Sequence, residues 1–482
     1  MQLNKLTIAQ AREQLDKKEI SSQHLTQACL KQIEKHNSQL KACLTVSSDL
    51  AMSQAKEADK RLKMGETGPL LGIPYLAKDN LLTKDIKTTA GSKMLENYIA
   101  PYSATVVDKL EKAGAVLLGK TNLDEFAHGS STENSYFGPS INPWDTNRVP
   151  GGSSGGSASA VASDMCLFAL GSDTGGSIRQ PASFCGITGL KPSYGRVSRF
   201  GLIAMTSSTD VIGPLTKSAL DAEMVFSVIS GKDEKDSTSY DNLHSSREFV
   251  SDISKVSKIG WVKEHEKDLS PEVKEALLKT RKKLESLGAT FIDISLPNIK
   301  YAVPVYYIIT PAEVSSNLAR FDGLRFGFSK SEASNLKDYY LQTRGEGFGP
   351  EAKRRIMLGT YVLSAGYFDA YYLQAQRVRE NIISDFDKVF SEVDLILTPS
   401  ATGPAFRFGE KTNPLDMYIE DKFLAGPSLA GLPSISLPTE TVKDLPFGFQ
   451  LVGSKSGEDM ILKVAKSFQE NTNYHLEKPS LP

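Results

Sequence analysis

Three residues in this chain could together do hydrolytic chemistry: Lys78, Ser153 and Ser177. Lys78 ends an apolar run, Leu-Leu-Gly-Ile-Pro-Tyr-Leu-Ala-Lys. Ser153 sits in Gly-Gly-Ser-Ser-Gly-Gly-Ser at 151–157, and Ser177 in Gly-Ser-Asp-Thr-Gly-Gly-Ser-Ile-Arg-Gln-Pro at 171–181. A serine hydroxyl is a weak nucleophile until a base removes its proton. Histidine is the usual base, but of the six here (His24, His36, His128, His244, His265 and His475) only His128 lies near the Gly-rich region. Lysine can serve instead when burial disfavours its ammonium form, and Lys78 follows an apolar segment where that would happen. Glycines ahead of Ser177 allow close backbone approach to a substrate. Successive N–H groups at a tight turn entering a helix form a hole for a developing oxyanion. Ser177 is therefore the better nucleophile, with Ser153 as a proton relay and Ser154 a competitor for the relay by composition alone.

These loops have two rival readings. Ser/Gly-rich stretches are commonly linkers, but both of these are flanked by apolar segments and so lie inside the fold. A phosphate cradle is the other rival. GGSSGGS lacks the Gly-Lys-Ser/Thr ending of a P-loop, and neither loop fits GxGxxG after a strand.

The elements that must hold these residues read as α/β. Residues 1–65 are expected to be helical, 70–77 a buried strand, 103–113 a capped amphipathic helix ended by Gly114, and 116–118 a strand. A small-residue helix follows at 157–165 and a buried strand at 166–170. The polar stretch 231–258 reads as a surface loop with room for a short strand. Beyond it come a strand (258–262), a helix (272–287), a strand (291–294), a helical stretch (350–392) and late strands at 394–398 and 434–437. Strand and helix alternate on both sides of the polar loop, which favours one large domain over 1–482: a helical segment to 65, a core with the Gly/Ser loops over 66–215, and the remainder over 216–482.

Composition narrows the function. Net charge is −1 over 482 residues, so no strong field draws a polyanion to this chain. Four cysteines (Cys29, Cys43, Cys166 and Cys185) are scattered without a CxxC pair. That disfavours a disulfide framework and a zinc site and fits reduced thiols in a cytoplasmic protein. The N-terminus reads as an amphipathic helix rather than a leader. No apolar run is long enough to cross a bilayer.

At these residues the chain resembles the amidase signature family. The likeness runs through GIPYLAKDN, GKTNLDEFAHGSSTENS, GGSSGGSASAVAS, GSDTGGSIRQPASFCG and GLKPSYGRVSRFG. It implies the amidase signature fold, a large mixed β-sheet flanked by helices on both faces. It also implies a Ser–cis-Ser–Lys triad: Lys78 the base, Ser153 the cis-peptide serine chosen over Ser154 by loop spacing, and Ser177 the acylated nucleophile. Thr174, Gly175, Gly176 and Ser177 would supply oxyanion N–H groups. Within the family the chain is similar to the A-subunit branch of glutamyl-tRNA(Gln) amidotransferases, through DEFAHGSSTENSYFGPSINPW, YGRVSRFGL, VYYIITPAEVSSNLARFDGLRFG and AKRRIMLGTYVLSAGY. That likeness implies a glutaminase whose ammonia passes to a B subunit, where ATP and magnesium activate Glu-tRNA(Gln). A C subunit clamps the assembly. The tRNA is held mainly by B, and no cofactor or metal is expected in this chain. It implies further that Arg355 holds the glutamine α-carboxylate and Asp421 its α-amino group, with Tyr306 nearby. Three places depart from that branch: His128 stands where methionine is common, 204–210 reads Ala-Met-Thr-Ser-Ser-Thr-Asp, and the segment after Asp421 reads Lys-Phe-Leu-Ala-Gly-Pro-Ser-Leu-Ala-Gly. A free-standing amidase acting on small or aryl amides is the alternative function. A non-catalytic scaffold is a third, disfavoured by the intact Lys78, Ser153 and Ser177.

Overall fold

The computed structural model describes residues 2–241, 258–330 and 332–481. Among the described residues eleven strands form one mixed sheet. In chain order they are β1 (Cys43–Val46), β2 (Pro74–Lys78), β3 (Val116–Thr121), β4 (Phe168–Asp173), β5 (Thr188–Lys191), β6 (Val211–Thr216), β7 (Lys258–Val262), β8 (Thr290–Ile294), β9 (Leu395–Pro399), β10 (Ser434–Pro438) and β11 (Gly448–Gly453). Their order across the sheet is β1-β3-β2-β4-β6-β5-β10-β11-β9-β7-β8.

The sequence shows why these strands are hard to read by period. Every residue of β2, β3, β4, β5, β6, β9, β10 and β11 is buried. A strand covered on both faces loses the apolar–polar alternation. The two faces are separable in the packing. Leu395 and Leu397 of β9 join one core cluster while Ile396 joins another, and Ile259 and Trp261 of β7 part from Val262 in the same way. Helices Pro271–Ser286 and Glu458–Glu470 pack into the first cluster. Helices Ala302–Asn317 and Gln374–Val389 pack into the second. This is the α/β architecture expected, a mixed sheet between helical layers.

Some boundaries differ from the sequence reading. Residues 1–65 are not wholly helical, because β1 adds an edge strand antiparallel to β3. β2 begins at Pro74 rather than 70, since Gly72 lies at φ +80° in the turn before it. The helix expected over 103–113 spans Thr105–Lys112 and has no side-chain cap at Ala104; Ser103 Oγ instead accepts the Lys84 N–H at 3.0 Å. β5, β6 and β11 are additions to the sequence reading: Thr-Gly-Leu-Lys, Val-Ile-Gly-Pro-Leu-Thr and Gly-Phe-Gln-Leu-Val-Gly each carry glycine, and proline in one case, in a buried central strand. Most of the expected 231–258 loop, residues 242–257, lies outside the described residues.

The placement of the Gly/Ser loops follows from two strands. β2 and β4 are parallel neighbours, with Tyr75 opposite Phe168 and Ala77 opposite Leu170. Their C-terminal ends therefore emerge side by side, carrying Lys78 and Asp173. Between them in sequence, helix Gly155–Ala162 packs its small residues tightly. A Cβ on Gly156 would stand 2.5 Å from the Asn122 carbonyl oxygen.

Candidate active site

Lys78 is the last residue of β2 and is fully buried. Its Nζ lies 2.8 Å from Ser153 Oγ, 2.9 Å from Ser154 Oγ and 2.9 Å from Ser172 Oγ. Burial lowers its pKa from 10.5 to about 7, against the opposing charges of Asp124, Asp173 and Asp210. The amine is thus poised to be neutral at physiological pH. A neutral amine has two N–H donors and one lone pair, so one of the three hydroxyls must donate to it. Ser154 Oγ already donates to the Ser172 carbonyl at 3.1 Å and accepts the Ser172 N–H at 3.3 Å. Ser172 Oγ also accepts from Asn80 Nδ2 at 3.0 Å. Those contacts make Ser154 an acceptor of a lysine N–H group and leave Ser153 and Ser172 as the hydroxyls free to donate to the lone pair. Ser172 is a site residue that the sequence reading lacks. Its role depends on the β2–β4 register, which no local pattern reveals.

The peptide bond between Gly152 and Ser153 is cis. The loop is tied from several sides. Gly152 N–H donates to Gln180 Oε1 at 3.0 Å, and Ser154 N–H donates to the Ser177 carbonyl at 3.2 Å. The second bond brings the two Gly/Ser loops into direct contact. Asp124 backs the first loop, accepting the Thr132 and Asn134 N–H groups at 2.9 and 3.1 Å. It stands so close that a Cβ on Gly152 would lie 2.2 Å from Asp124 Oδ2. Lys78 and Ser153 are 0% exposed and Ser177 9%, so of the three Ser177 is the one within reach of a substrate.

The turn holding Ser177 is built around the buried Asp173. Arg179 pairs with it through Nε at 3.0 Å and Nη2 at 3.0 Å, and Ile178 N–H donates at 3.1 Å. This bidentate ion pair fixes the strand-to-helix turn. One expected donor is taken by it: Gly176 N–H points to Asp173 Oδ1 at 2.8 Å and is committed there. The carboxylate wins that amide because it is charged, buried and three residues back in the same turn. The N–H groups of Thr174, Gly175 and Ser177 are not drawn to Asp173 in this way. Thr174 is steadied by its hydroxyl, which donates to Asp210 Oδ1 at 2.7 Å.

The other three expected site residues meet next to this turn. Tyr306, on helix Ala302–Asn317, lies against Gly175: a Cβ there would be 2.5 Å from Tyr306 Cζ and 2.6 Å from its hydroxyl oxygen. Tyr307 packs edge-on to Tyr306 and donates its hydroxyl to Asp421 Oδ2 at 2.7 Å. Ser130 Oγ donates to Asp421 Oδ1 at 3.2 Å. Arg355 is 3% exposed; its Nε donates to Glu351 Oε1 at 2.8 Å, and its guanidinium lies 5.2 Å from the Tyr307 ring centre and 5.7 Å from that of Tyr418. Burial raises the Asp421 carboxyl to about 7 even against the Tyr307 hydrogen bond and the Arg355 charge, which act to lower it. Neither Arg355 nor Asp421 sits on a distant surface. A cavity of about 180 Å³, lined by Gly129, Glu351, Arg355, Lys411 and Tyr418 among others, opens beside Arg355. Ser130, Tyr307 and Tyr418 are further residues that sequence reasoning misses. Tyr307 has a faint signal as the neighbour of Tyr306, and the others none. Among the described residues no group of three or more His, Cys, Asp or Glu side chains is placed to hold a metal ion. The four cysteines are free and buried.

The arrangement has relatives. The family model described as Amidase matches residues 24–462. The A subunit of the glutamyl-tRNA(Gln) amidotransferase of Carboxydothermus hydrogenoformans is 53% identical over 485 residues, with 100% of both chains covered. The protein of the same name from Coxiella burnetii is 50% identical over 482 residues, covering 99% of this chain and 100% of its own. Among solved structures, the A subunit of the Thermotoga maritima glutamyl-tRNA(Gln) amidotransferase superposes with a TM-score of 0.80 at 40% identity, covering 100% of this chain and 98% of that one. The peptide amidase of Stenotrophomonas maltophilia also superposes at 0.80, with 27% identity and 97% of each chain covered. With its sheet, its serine loops and these relatives taken together, the chain belongs to the amidase family.

Proposed function

We propose that this chain is the glutamine-hydrolysing A subunit of a glutamyl-tRNA(Gln) amidotransferase. Neutral Lys78 takes a proton from Ser153 as Ser153 takes the proton of Ser177. Ser177 Oγ then attacks the side-chain amide carbon of glutamine. The oxyanion meets the N–H groups of Thr174, Gly175 and Ser177. The proton returns along Lys78 and Ser153 to the leaving nitrogen, ammonia departs, and a glutamyl ester remains on Ser177. Water activated by the same relay releases glutamate. The ammonia goes to a B subunit that uses ATP and magnesium on Glu-tRNA(Gln), with a C subunit joining the two. The tRNA is left mainly to B, in keeping with a net charge of −1 here. The work is cytoplasmic in this reading, and no helix of the described residues is long and apolar enough to cross a membrane.

The observation that carries the glutamine reading is the buried opposite-charge pair beside the serine turn. Glutamine is zwitterionic, and Arg355 and Asp421, bridged by Tyr307, offer it one charge of each sign. A glutaminase assay on the chain, alone and with its B-like and C-like partners, tests this. Arg355→Ala should raise KM for glutamine far more than for an uncharged amide, by the roughly 2–5 kcal/mol that losing one side of a buried charged contact costs. Equal hydrolysis of uncharged amides, with no binding of B-like or C-like proteins, would support a free-standing amidase instead.

A further inference from the structure

His128 is the buried polar side chain near the site that the proposed mechanism leaves unused. It is 0% exposed, and neither Nδ1 nor Nε2 has a hydrogen-bond partner among the described residues. Its backbone is held firmly. The His128 N–H donates to the Glu125 carbonyl at 2.9 Å, and the His128 carbonyl accepts from Asn134 Nδ2 at 2.9 Å. Of the next two residues, Gly129 lines the cavity beside Arg355 and Ser130 bonds Asp421. The same segment folds around Asp124, which backs the Gly152–Ser153 loop. Thus one stretch, 124–134, joins the serine loop to the charge pair, with an unpaired imidazole between them.

A buried imidazole with two unpaired nitrogens is a standing cost unless something pairs with it in another state. Burial and the nearby Arg355 charge keep it neutral, well below its ordinary pKa. A neutral imidazole offers one N–H donor and one acceptor. Next to Arg355, the partner that suits the donor is an anion, and glutamine brings one carboxylate. We infer that His128 is a specificity-determining residue whose ring N–H donates to the same α-carboxylate that Arg355 binds. The inference rests on the glutamine reading above.

The test compares glutamine with 4-aminobutanamide, which is glutamine without its α-carboxylate. The readout is the ratio of kcat/KM for the two amides, measured on the chain with its partners for wild type, His128→Leu and His128→Asn. His128→Leu should lower that ratio about 10- to 100-fold, mainly through KM for glutamine, as expected for a lost hydrogen bond to a charged group. His128→Asn, which keeps a side-chain N–H, should recover part of it. A ratio unchanged in both variants overturns the inference, as does an equal loss on both amides, which would make His128 a packing residue. Should His128→Leu fail to fold, His128→Asn alone decides: its ratio must fall between wild type and Arg355→Ala. A wild type that does not prefer glutamine in the first place overturns the glutamine reading itself, a result distinct from a normal preference that survives in the variants.

Discussion

In the proposed mechanism Lys78 is the base, and its surroundings account for that role. At the end of β2 it is surrounded by three hydroxyls and a carbonyl rather than by carboxylates in contact. Removal from water therefore outweighs the more distant Asp124, Asp173 and Asp210, and the pKa falls from 10.5 to about 7. The sign follows directly. Below that pKa the amine is protonated and cannot take the Ser153 proton, so the rate falls tenfold per pH unit; above it the rate levels off. An uncharged amide should be used to measure this, because Asp421, the proposed partner of the glutamine amino group, has its pKa raised to about 7 as well. The window should be pH 6–8, since Asp124 and Asp210 titrate near 6. A kcat that is flat across that window would contradict the assignment. The residue types here are legible in the sequence: a lysine after an apolar run and serines in Gly-rich loops announce histidine-free hydrolysis. The split between Ser153 and Ser154 is not legible from composition, because it depends on the Ser172 carbonyl that occupies the Ser154 proton.

Among the helices and strands, the site depends on small residues that let backbones approach. Helix Gly155–Ala162 is Gly-Gly-Ser-Ala-Ser-Ala-Val-Ala, poor in helix propensity at its start but buried at every position. A methyl group on Gly156 would meet the Asn122 carbonyl oxygen at 2.5 Å and the Ala42 carbonyl oxygen at 2.7 Å, both rigid backbone. Gly156→Ala should therefore destabilise the fold by about 1–3 kcal/mol, the usual cost of overpacking, despite its better helix propensity. Thermal or denaturant unfolding measures this, and a midpoint equal to or above wild type would show that the helix has room to move. Helices bounded by polar residues are the easier ones to read, such as Pro271–Ser286 capped by Ser270. Central strands β5, β6 and β11 are opaque because burial on both faces erases their period. Gly176 is a related case. Its place in the turn is legible, but not the capture of its N–H by Asp173.

Across the molecule, one sheet takes strands from residue 43 to residue 453, so the serine loops and the Arg355–Asp421 pocket belong to one framework despite their distance in sequence. The first half brings Lys78, Ser153 and Ser177, and the second half brings Tyr306 against the turn at Gly175, with its neighbour Tyr307 touching Asp421 and Arg355. The long motifs make the first half readable. The second depends on resemblance, because a single arginine and a single aspartate carry no spacing signal until helix Ala302–Asn317 places two tyrosines between them and the turn at Gly175. Everything proposed for this framework requires that glutamine acylate Ser177. Acid quenching during turnover, followed by proteolysis and mass spectrometry, reads that ester itself. One glutamyl group should appear on the peptide containing Ser177, and Ser177→Ala should lose both the ester and ammonia release. A glutamyl group on Ser153 or Ser154, or undiminished ammonia release from Ser177→Ala, would overturn the mechanism.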